Sequence, residues 1–184
     1  MMNIQKKYKY KNFVFVLIND FSLIAFSNAI EPLRLANRQA QKEIYTWKLM
    51  SENGENVKCS SGFLFKVDSP ISQIDNDDFV ILCAGQNIKK NTTKKLLNWI
   101  RKESRKKIYI GSICTGTYVL AKAGLINDIP STIHWENREA LKEEFEHLNI
   151  SDAIYTIDKK WFSAAGGTAS IDLMLNIISQ DQGV

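Results

Sequence analysis

The sequence has few of the residues that mark several common protein classes. Among its 184 residues there are only three prolines, three cysteines and two histidines, with no internal repeat or low-complexity tract. Three widely spaced cysteines without a Cys-x-x-Cys pair indicate neither a disulfide framework nor a zinc site. Apolar runs such as 13–18 have strand length and are too short to cross a membrane, and no secretory signal is apparent. We therefore expect a cytoplasmic protein with reduced thiols, no metal and no cofactor.

Positive charge is slightly in excess, but its distribution does not indicate nucleic-acid binding. The formal net charge is +4, and lysine and arginine cluster at 6–11, 89–95 and 101–107. Basic residues are favoured at the end of a helix by its dipole, and charge runs are commonly solvated faces. No recognition-helix pattern or aromatic-interleaved basic patch accompanies them. We do not expect this chain itself to bind DNA or RNA.

Buried strands alternate with helices along the chain. The apolar runs at 13–18 and 79–83 are typical of strands buried on both faces of a parallel sheet, and 107–112 is predicted as a further strand that leads directly into Cys114. Helical spacing follows at 23–33, at about 92–106, at 136–146 and again after 167, and 131–135 is predicted as a short strand. This alternation predicts one α/β domain over 1–184, with its core at about 12–180. Its sheet should be doubly wound, mostly parallel and covered by helices on both faces.

Three local signals modify this outline. Pro32 should kink or break the first helix. The Asn53-Gly54 pair predicts a hairpin-like turn between strands at 45–51 and 62–67. Strands at 154–158 and 161–165 should form a second hairpin. The Gly166-Gly167-Thr168 segment that follows is predicted to be a tight turn and not a ligand-binding loop.

The segment with the clearest chemical meaning surrounds Cys114. An apolar strand, the small residues Gly111, Ser112 and Gly116, and an immediate helix describe a nucleophile elbow. A thiol at a helix N-terminus is expected to favour the thiolate, and free amides there, with that of Gly85, could bind an oxyanion or a carboxylate. The alternative is that Cys114 is a small buried core residue, the role we assign to Cys59 and Cys83.

The segments ICTGTYVLAKAGLI (113–126) and STIHW (131–135) resemble the elbow and partner-histidine segments of the ThiJ/PfpI (class I glutamine-amidotransferase-like) superfamily. His134 follows Cys114 by 20 residues, the spacing of the ThiJ-like branch. The resemblance implies a flavodoxin-like doubly wound fold and a homodimer.

Further segments narrow the resemblance to one subgroup. DFSLIAF (20–26), EPLRLAN (31–37), HWEN (134–137) and AGGTASIDLM (165–174) are similar to the N-terminal domain of AraC-type transcriptional regulators, particularly those of carnitine and glycine-betaine catabolism. In those regulators a C-terminal helix-turn-helix region binds DNA, and no such region lies within this chain. The resemblance thus implies that any contact with DNA requires a region outside these 184 residues.

Two departures from the catalytic relatives favour binding over turnover. His134 is the candidate base, and Glu136, two residues along a strand, is the group that would orient it. An equal alternative is that His134 is simply a histidine hydrogen-bonded at a strand end. Peptidase-like members carry histidine where this chain has Thr115, and many members place a glutamate after the first strand. That region lacks a glutamate here, and Asp20 is expected to cap the first helix.

The expected ligand is a small metabolite bound at the Cys114 elbow. Phe21, Trp135 and Glu136 are expected at the mouth, where aromatic faces and a carboxylate suit a quaternary ammonium group, while elbow amides suit a carboxylate. Two alternatives stay open. One is a stand-alone cysteine-dependent enzyme (hydrolase, amidase, hydratase or glyoxalase type), and the other is a redox sensor oxidised at Cys114. The residues predicted to bind ligand are Asp20, Phe21, Gly85, Cys114, Thr115, His134, Trp135 and Glu136.

Overall fold

A seven-stranded sheet forms the centre of the molecule. The structure, a computed structural model, describes residues 12–183, so the basic segment 6–11 lies outside the described residues. The sheet has the strand order β5-β2-β1-β6-β7-β9-β8. Its strands are β1 (Asn12–Leu17), β2 (Thr46–Ser51), β5 (Ser69–Pro70), β6 (Phe79–Cys83), β7 (Tyr109–Ile113), β8 (Tyr155–Asp158) and β9 (Trp161–Ala164), and a separate two-stranded sheet pairs β3 (Val57–Lys58) with β4 (Leu64–Phe65).

All strand pairs of the large sheet except one are parallel. Only β8 and β9 run antiparallel, as the predicted second hairpin. The central strand β6 is buried along its whole length, as its unbroken apolar sequence predicts. The doubly wound, mostly parallel sheet is therefore confirmed.

Helices cover both faces of the sheet. The helices are α1 (Leu23–Ala40), α2 (Ile88–Asn91), α3 (Lys94–Glu103), α4 (Thr117–Lys122), α5 (Arg138–Glu144) and α6 (Ala169–Gln182). Apolar residues of α1 and α6 join one buried cluster, and those of α3, α4 and α5 join the other on the opposite face. Within residues 12–183, the helices are too short or too polar for any of them to span a bilayer.

The predicted hairpin between 45–51 and 62–67 is wrong. Strand β2 instead lies parallel to β1 and is flanked by the short strand β5. The turn at Gly54 packs against Pro70, since a Cβ on Gly54 would lie 2.8 Å from the proline Cδ. The chain does change direction at Asn53-Gly54, as predicted, but the strand before this point does not pair with 62–67.

Pro32 does not break the first helix, contrary to expectation. Helix α1 runs for 18 residues with Pro32 inside it. Proline removes one intrahelical hydrogen bond, but Pro32 is itself buried, together with Ala29 and Leu33 on the same side of the helix. Burial of this face stabilises the helix through the proline.

The predicted strand at 131–135 is also wrong. Ser131 makes one isolated bridge to Ile150, and Trp135–Asn137 form a single 3-10 turn before α5. The helix predicted from about residue 92 begins slightly later, at Lys94. Thr93 caps this helix, α3, by accepting a hydrogen bond from the Leu96 amide.

Candidate functional site

Cys114 lies on a strained turn between β7 and the helical segment that follows. Its φ is +58°, a left-handed conformation that is uncommon for a residue with a side chain. Gly116 is required two residues later, because a Cβ there would lie 2.5 Å from the Leu82 carbonyl oxygen. Strand, strained residue and close packing together confirm the nucleophile elbow.

The Gly166-Gly167 turn lies directly behind the elbow. Gly166 has a φ of +94°, and a Cβ on it would lie 2.8 Å from the Cβ of Cys114. Gly167 is also left-handed but has open space around it. The predicted tight turn is therefore also in contact with Cys114, and the absence of a side chain at Gly166 leaves room for the Cys114 side chain. Sequence spacing did not indicate this contact.

Burial holds the Cys114 thiol in its protonated form. The side chain is buried, and this raises its pKa to about 11, while hydrogen bonds from the Thr115 amide and the Ser22 hydroxyl act in the opposite direction. The negative charge of Glu136 raises the pKa further. The expectation of a thiolate is therefore wrong, because loss of hydration outweighs the donors at the elbow.

Ser22, in the loop after β1, contacts the Cys114 thiol. It hydrogen-bonds the Cys114 sulfur and also caps α1, accepting a hydrogen bond from the Ala25 amide at 3.4 Å. Asp20 is not the cap, contrary to prediction: its carboxylate accepts a hydrogen bond from the Asn87 side-chain amide at 2.9 Å. A neutral hydroxyl thus stands beside the thiol instead of an acid.

The loop after β6 is fastened to the elbow and to the β1–α1 loop. The Thr115 hydroxyl donates to the Gly85 carbonyl at 2.6 Å, and the Gln86 amide donates to the Asp20 carbonyl at 3.0 Å. Gly85 must be glycine, because a Cβ would collide with that Asp20 carbonyl. These contacts fix the Gly85 backbone at the cavity wall beside Cys114.

His134 is held next to the elbow by its backbone. Its amide donates to the Cys114 carbonyl at 3.2 Å, and its Nδ1 atom lies 3.8 Å from a carboxylate oxygen of Glu136. The proximity of His134 and Glu136 arises from the 3-10 turn and not from two positions on a strand. The base and orienting roles of these residues stay predictions.

A cavity of about 710 Å³ opens above Cys114. Of the predicted site residues, Gly85, Thr115, His134 and Glu136 line it together with Cys114. Asp20, Phe21 and Trp135 do not: Phe21 is fully buried in the core, and the Trp135 side chain is largely exposed outside the wall. Phe21 therefore lies outside this wall because it packs in the core, and Trp135 because it is exposed on the 3-10 turn; their contact with a ligand stays a prediction.

Most of the wall is built from residues that motif spacing did not indicate. They lie far apart in the chain and meet only through the fold, although several fall at strand ends where ligands bind in such sheets. These additional residues are Ser22, Ser60, Gln86, Asn87, Ile88, Lys89, Lys90, Tyr118, Ile133, Asn137, Ala140 and Leu141.

Charges of both signs face the cavity. Glu136 is the single carboxylate among its lining residues, and Lys89 and Lys90 contribute positive charge from α2. Lys89 is also paired with Glu144 at 2.6 Å and lies 5.9 Å above the centre of the Tyr118 ring. The Tyr118 hydroxyl donates to Glu144 at 2.8 Å, and burial followed by this carboxylate raises the pKa of Tyr118 to about 12.

The other thiols belong to the core. Cys59 and Cys83 are buried and free, and complete burial raises the pKa of Cys83 well above its ordinary value. Across the part of the chain that the structure describes, no three His, Cys, Asp or Glu side chains are grouped so as to hold a metal ion.

Sequence comparison relates the chain to transcriptional regulators. It is 34% identical over 169 residues to the HTH-type transcriptional regulator GbdR of Pseudomonas aeruginosa, covering 92% of this chain and 46% of that protein. It is 37% identical over 173 residues to the HTH-type transcriptional regulator CdhR of the same species, covering 94% and 51%. The chain thus spans about half the length of these relatives.

Solved structures share the fold. An AraC family transcriptional regulator from Pseudomonas putida superposes with a TM-score of 0.80 at 23% identity, covering 94% of this chain and 96% of that one. Drosophila melanogaster DJ-1beta gives a TM-score of 0.75 at 20% identity, covering 95% and 92%. The DJ-1/PfpI family model matches residues 11–180, nearly the whole sequence. With its elbow cysteine and its parallel sheet, the chain belongs to the DJ-1/PfpI family.

Proposed function

We propose that this chain is the ligand-sensing part of an AraC-type transcriptional regulator and that a small metabolite binds in the Cys114 cavity. Its similarity to HTH-type regulators covers more than nine tenths of the chain but only about half of those proteins. In this proposal the chain acts in the cytoplasm as a homodimer and reaches DNA only through a region outside these 184 residues.

The observation that carries the proposal is the chemistry of the cavity wall. Hydroxyls, amides, two lysines and one carboxylate surround a thiol that is protonated at neutral pH. A nucleophilic cysteine needs a lowered pKa or an effective base, whereas burial and the neighbouring Glu136 act against ionisation here. Such a wall is better suited to binding a polar molecule than to covalent turnover.

A zwitterion fits the distribution of charge. Glu136 provides a negative group for a cation, and Lys90 with the backbone at Gly85 provides partners for a carboxylate. A quaternary ammonium zwitterion such as betaine or carnitine is the class we propose. Lys89 already covers the face of Tyr118, the aromatic side chain that lines the cavity. The preference for a cation therefore rests on attraction to the Glu136 carboxylate and not on a cation–π contact.

A thermal-shift screen of the purified chain tests this function. The panel holds betaine, dimethylglycine, carnitine, choline, arginine and simple amides. A ligand that binds only the folded state raises the melting temperature with its concentration. We expect a rise with betaine or carnitine and a smaller one with choline, which has the cation but no carboxylate.

Matched variants locate the binding site. Glu136→Gln should remove the shift, whereas Glu139→Gln, on α5 but outside the cavity wall, should retain it. Lys90→Gln should weaken the response to betaine but not to choline, with exposed Lys94 as the control position. A shift that survives Glu136→Gln would place the ligand elsewhere, and no shift with any cation would reject the proposed ligand class.

The second candidate function is that of a cysteine-dependent enzyme, and the strained elbow at Cys114 is the observation that favours it. Positive φ at the residue that follows the strand is a feature of nucleophile elbows, and the backbone of His134 is held next to Cys114. This function predicts turnover of an amide, isonitrile or reactive aldehyde that is lost in Cys114→Ala. Ligand-induced stabilisation of Cys114→Ala without any turnover by the unaltered chain would reject it in favour of sensing.

A further inference from the structure

Residues 131–133 are buried although they belong to none of the strands β1–β9. The next residue, His134, is held by its amide, which donates to the Cys114 carbonyl at 3.2 Å. Thr132, two residues earlier, is fully buried, so its backbone N–H and C=O need hydrogen-bond partners inside the protein. In a strand these partners would be backbone groups of a neighbouring strand. Here side chains supply both of them.

Two buried hydroxyls bind the backbone of Thr132. The Thr117 hydroxyl donates to the Thr132 carbonyl at 2.6 Å, and the Ser163 hydroxyl accepts from the Thr132 amide at 2.8 Å. Thr117 is the first residue of α4, the helix that follows the elbow, and Ser163 lies on β9. The segment is therefore fastened to α4 on one side and to the sheet on the other.

Each of these two hydroxyls contacts a further hydroxyl. A hydroxyl has one proton to donate, and Thr117 gives its proton to Thr132. In the 2.9 Å contact between Ser112 and Thr117 the donor is therefore Ser112. On the other side, the Ser163 and Thr156 hydroxyls lie 2.5 Å apart. A buried network whose members are all hydrogen-bonded holds its surroundings in one arrangement.

We propose that Thr117 and Ser163 are positioning residues for the His134 side of the Cys114 cavity. Neither of their side chains lines the cavity, but both hold the residue that precedes Ile133 and His134 in its wall. Loss of either hydroxyl leaves a buried backbone group without its partner, and this favours displacement of the segment. The effect on a ligand rests on the proposed function above, whereas the effect on the wall does not.

The side chain of Thr132 offers a matched control. Its hydroxyl is buried and has no hydrogen-bond partner among the residues that the structure describes. Thr132→Val removes this hydroxyl but keeps the branched shape of the side chain and both backbone hydrogen bonds. The variant therefore shows what the loss of a buried hydroxyl from this segment does when no hydrogen bond is lost with it.

Amide hydrogen exchange followed by NMR tests the positioning role without any ligand. The reporter is the His134 amide, because no substitution alters this group or the Cys114 carbonyl that it binds. We expect its exchange to be at least about tenfold faster in Thr117→Val and in Ser163→Ala than in the unaltered chain. Thr117→Ser keeps the hydroxyl, and it should leave the rate within about twofold, as should Thr132→Val.

A general loss of stability would give a different pattern. Strand β6 is buried along its whole length, so its amides exchange mainly through global unfolding. Their rates should rise less than that of His134 in Thr117→Val and in Ser163→Ala. Circular dichroism shows that each variant is folded, and either of the two substitutions is sufficient for the test if the other prevents folding.

Calorimetric titration with betaine measures the consequence for binding. Thr117→Val and Ser163→Ala should each raise the dissociation constant at least about tenfold, because the wall is no longer held in place. Thr117→Ser and Thr132→Val should bind betaine as the unaltered chain does. Absence of betaine binding by the unaltered chain would reject the proposed ligand, and the exchange rates would then decide the positioning role alone.

Three results would overturn this proposal. The first is a His134 exchange rate that rises no more than the rates in β6. The second is a Thr132→Val variant that is as strongly affected as Thr117→Val and Ser163→Ala. The third is an unchanged affinity for betaine in variants that do bind it and whose His134 amide exchanges faster.

Discussion

Gly166 and Cys114 are packed so closely that a Cβ on Gly166 would lie 2.8 Å from the Cβ of Cys114. Both residues have positive φ, so two left-handed positions from distant parts of the chain meet behind the cavity. Neither conformation is favourable for a residue with a side chain. The elbow is therefore held in place by the turn before α6 as well as by the strand that leads into it.

Replacing Gly166 with alanine should destabilise the protein by about 2–4 kcal/mol, from the left-handed conformation together with overpacking against Cys114. Gly167→Ala is the control, since it has the same sign of φ but no atom within 4 Å of the added Cβ. It should cost only about 1–2 kcal/mol. Urea unfolding of both variants measures the difference, and equal losses would show that contact with Cys114 is not limiting.

Removing the Ser22 hydroxyl should change both the helix cap and the thiol. Ser22→Ala should cost about 1 kcal/mol of stability through the lost cap. It should also raise the pKa of Cys114 further, because the hydroxyl hydrogen bond lowers that pKa. Peptide mass spectrometry after iodoacetamide treatment at a series of pH values follows alkylation of Cys114.

Thr93→Ala is a suitable control for Ser22→Ala. Thr93 caps α3 in the same way, by accepting a hydrogen bond from the Leu96 amide at 3.1 Å, but it does not line the Cys114 cavity. Each variant loses a helix cap, and Thr93→Ala also loses a hydrogen bond from its hydroxyl to Glu52, but only Ser22→Ala should move the alkylation profile to higher pH. An unchanged profile would mean that the hydroxyl does not act on the sulfur.

Strands with unbroken apolar sequence and the elbow were predictable, because local pattern determines them. The apolar run that forms β6 is explained by burial of the strand on both faces, and the small residues around Cys114 are explained by the tight turn there. Strand β5 was not predictable, since Ser69–Pro70 has no apolar pattern and pairs only because β2 offers it an edge.

The cavity was predictable only at its centre. Gly85 and His134 follow from the positions of strand ends and from family spacing, and both line the wall. Ser22 and Lys89 were missed because their positions depend on how loops fold over the sheet. Trp135 was misplaced because a strand was expected where a 3-10 turn forms.

Alkaline pH should destabilise the protein through Cys114. Its folded-state pKa of about 11 lies above the ordinary value of 9.0, so the folded protein retains this proton longer than the unfolded chain. The corresponding stability is complete below about pH 9 and is lost as the pH rises towards 11, at about 1.4 kcal/mol per pH unit.

Urea unfolding between pH 7 and pH 11 measures this loss. Cys114→Ser should lose less stability over this range, because it removes one of the titrating groups. Part of the slope should persist, since burial also raises the pKa of Cys83 and Tyr118. Identical slopes for the unaltered chain and Cys114→Ser would contradict a raised pKa at Cys114. Rapid alkylation of Cys114 at pH 7 would contradict it as well, and would favour the redox-sensor alternative.

Glu144 joins three helices around the cavity, and its removal should matter only while it is ionised. Its carboxylate pairs with Lys89 of α2 at 2.6 Å and with Lys122 of α4 at 3.3 Å, and it accepts a hydrogen bond from Tyr118. The Lys89 contact, followed by Tyr118 and Lys122, lowers the pKa of Glu144 below its ordinary value of 4.5 against the effect of burial. The stabilisation is therefore present above pH 4.5 and is lost as the pH falls below it.

Glu144→Gln should reduce stability at pH 7 by no more than about 1 kcal/mol, because the ion pairs are partly solvated. The difference from the unaltered chain should shrink as the pH falls from 4.5 towards 3, when the carboxylate is protonated. Chemical unfolding at a series of pH values measures both quantities. Glu143→Gln, at the adjacent exposed position, should cause little change at any pH. A gap that persists undiminished at pH 3 would show that Glu144 stabilises these helices by packing and not by charge.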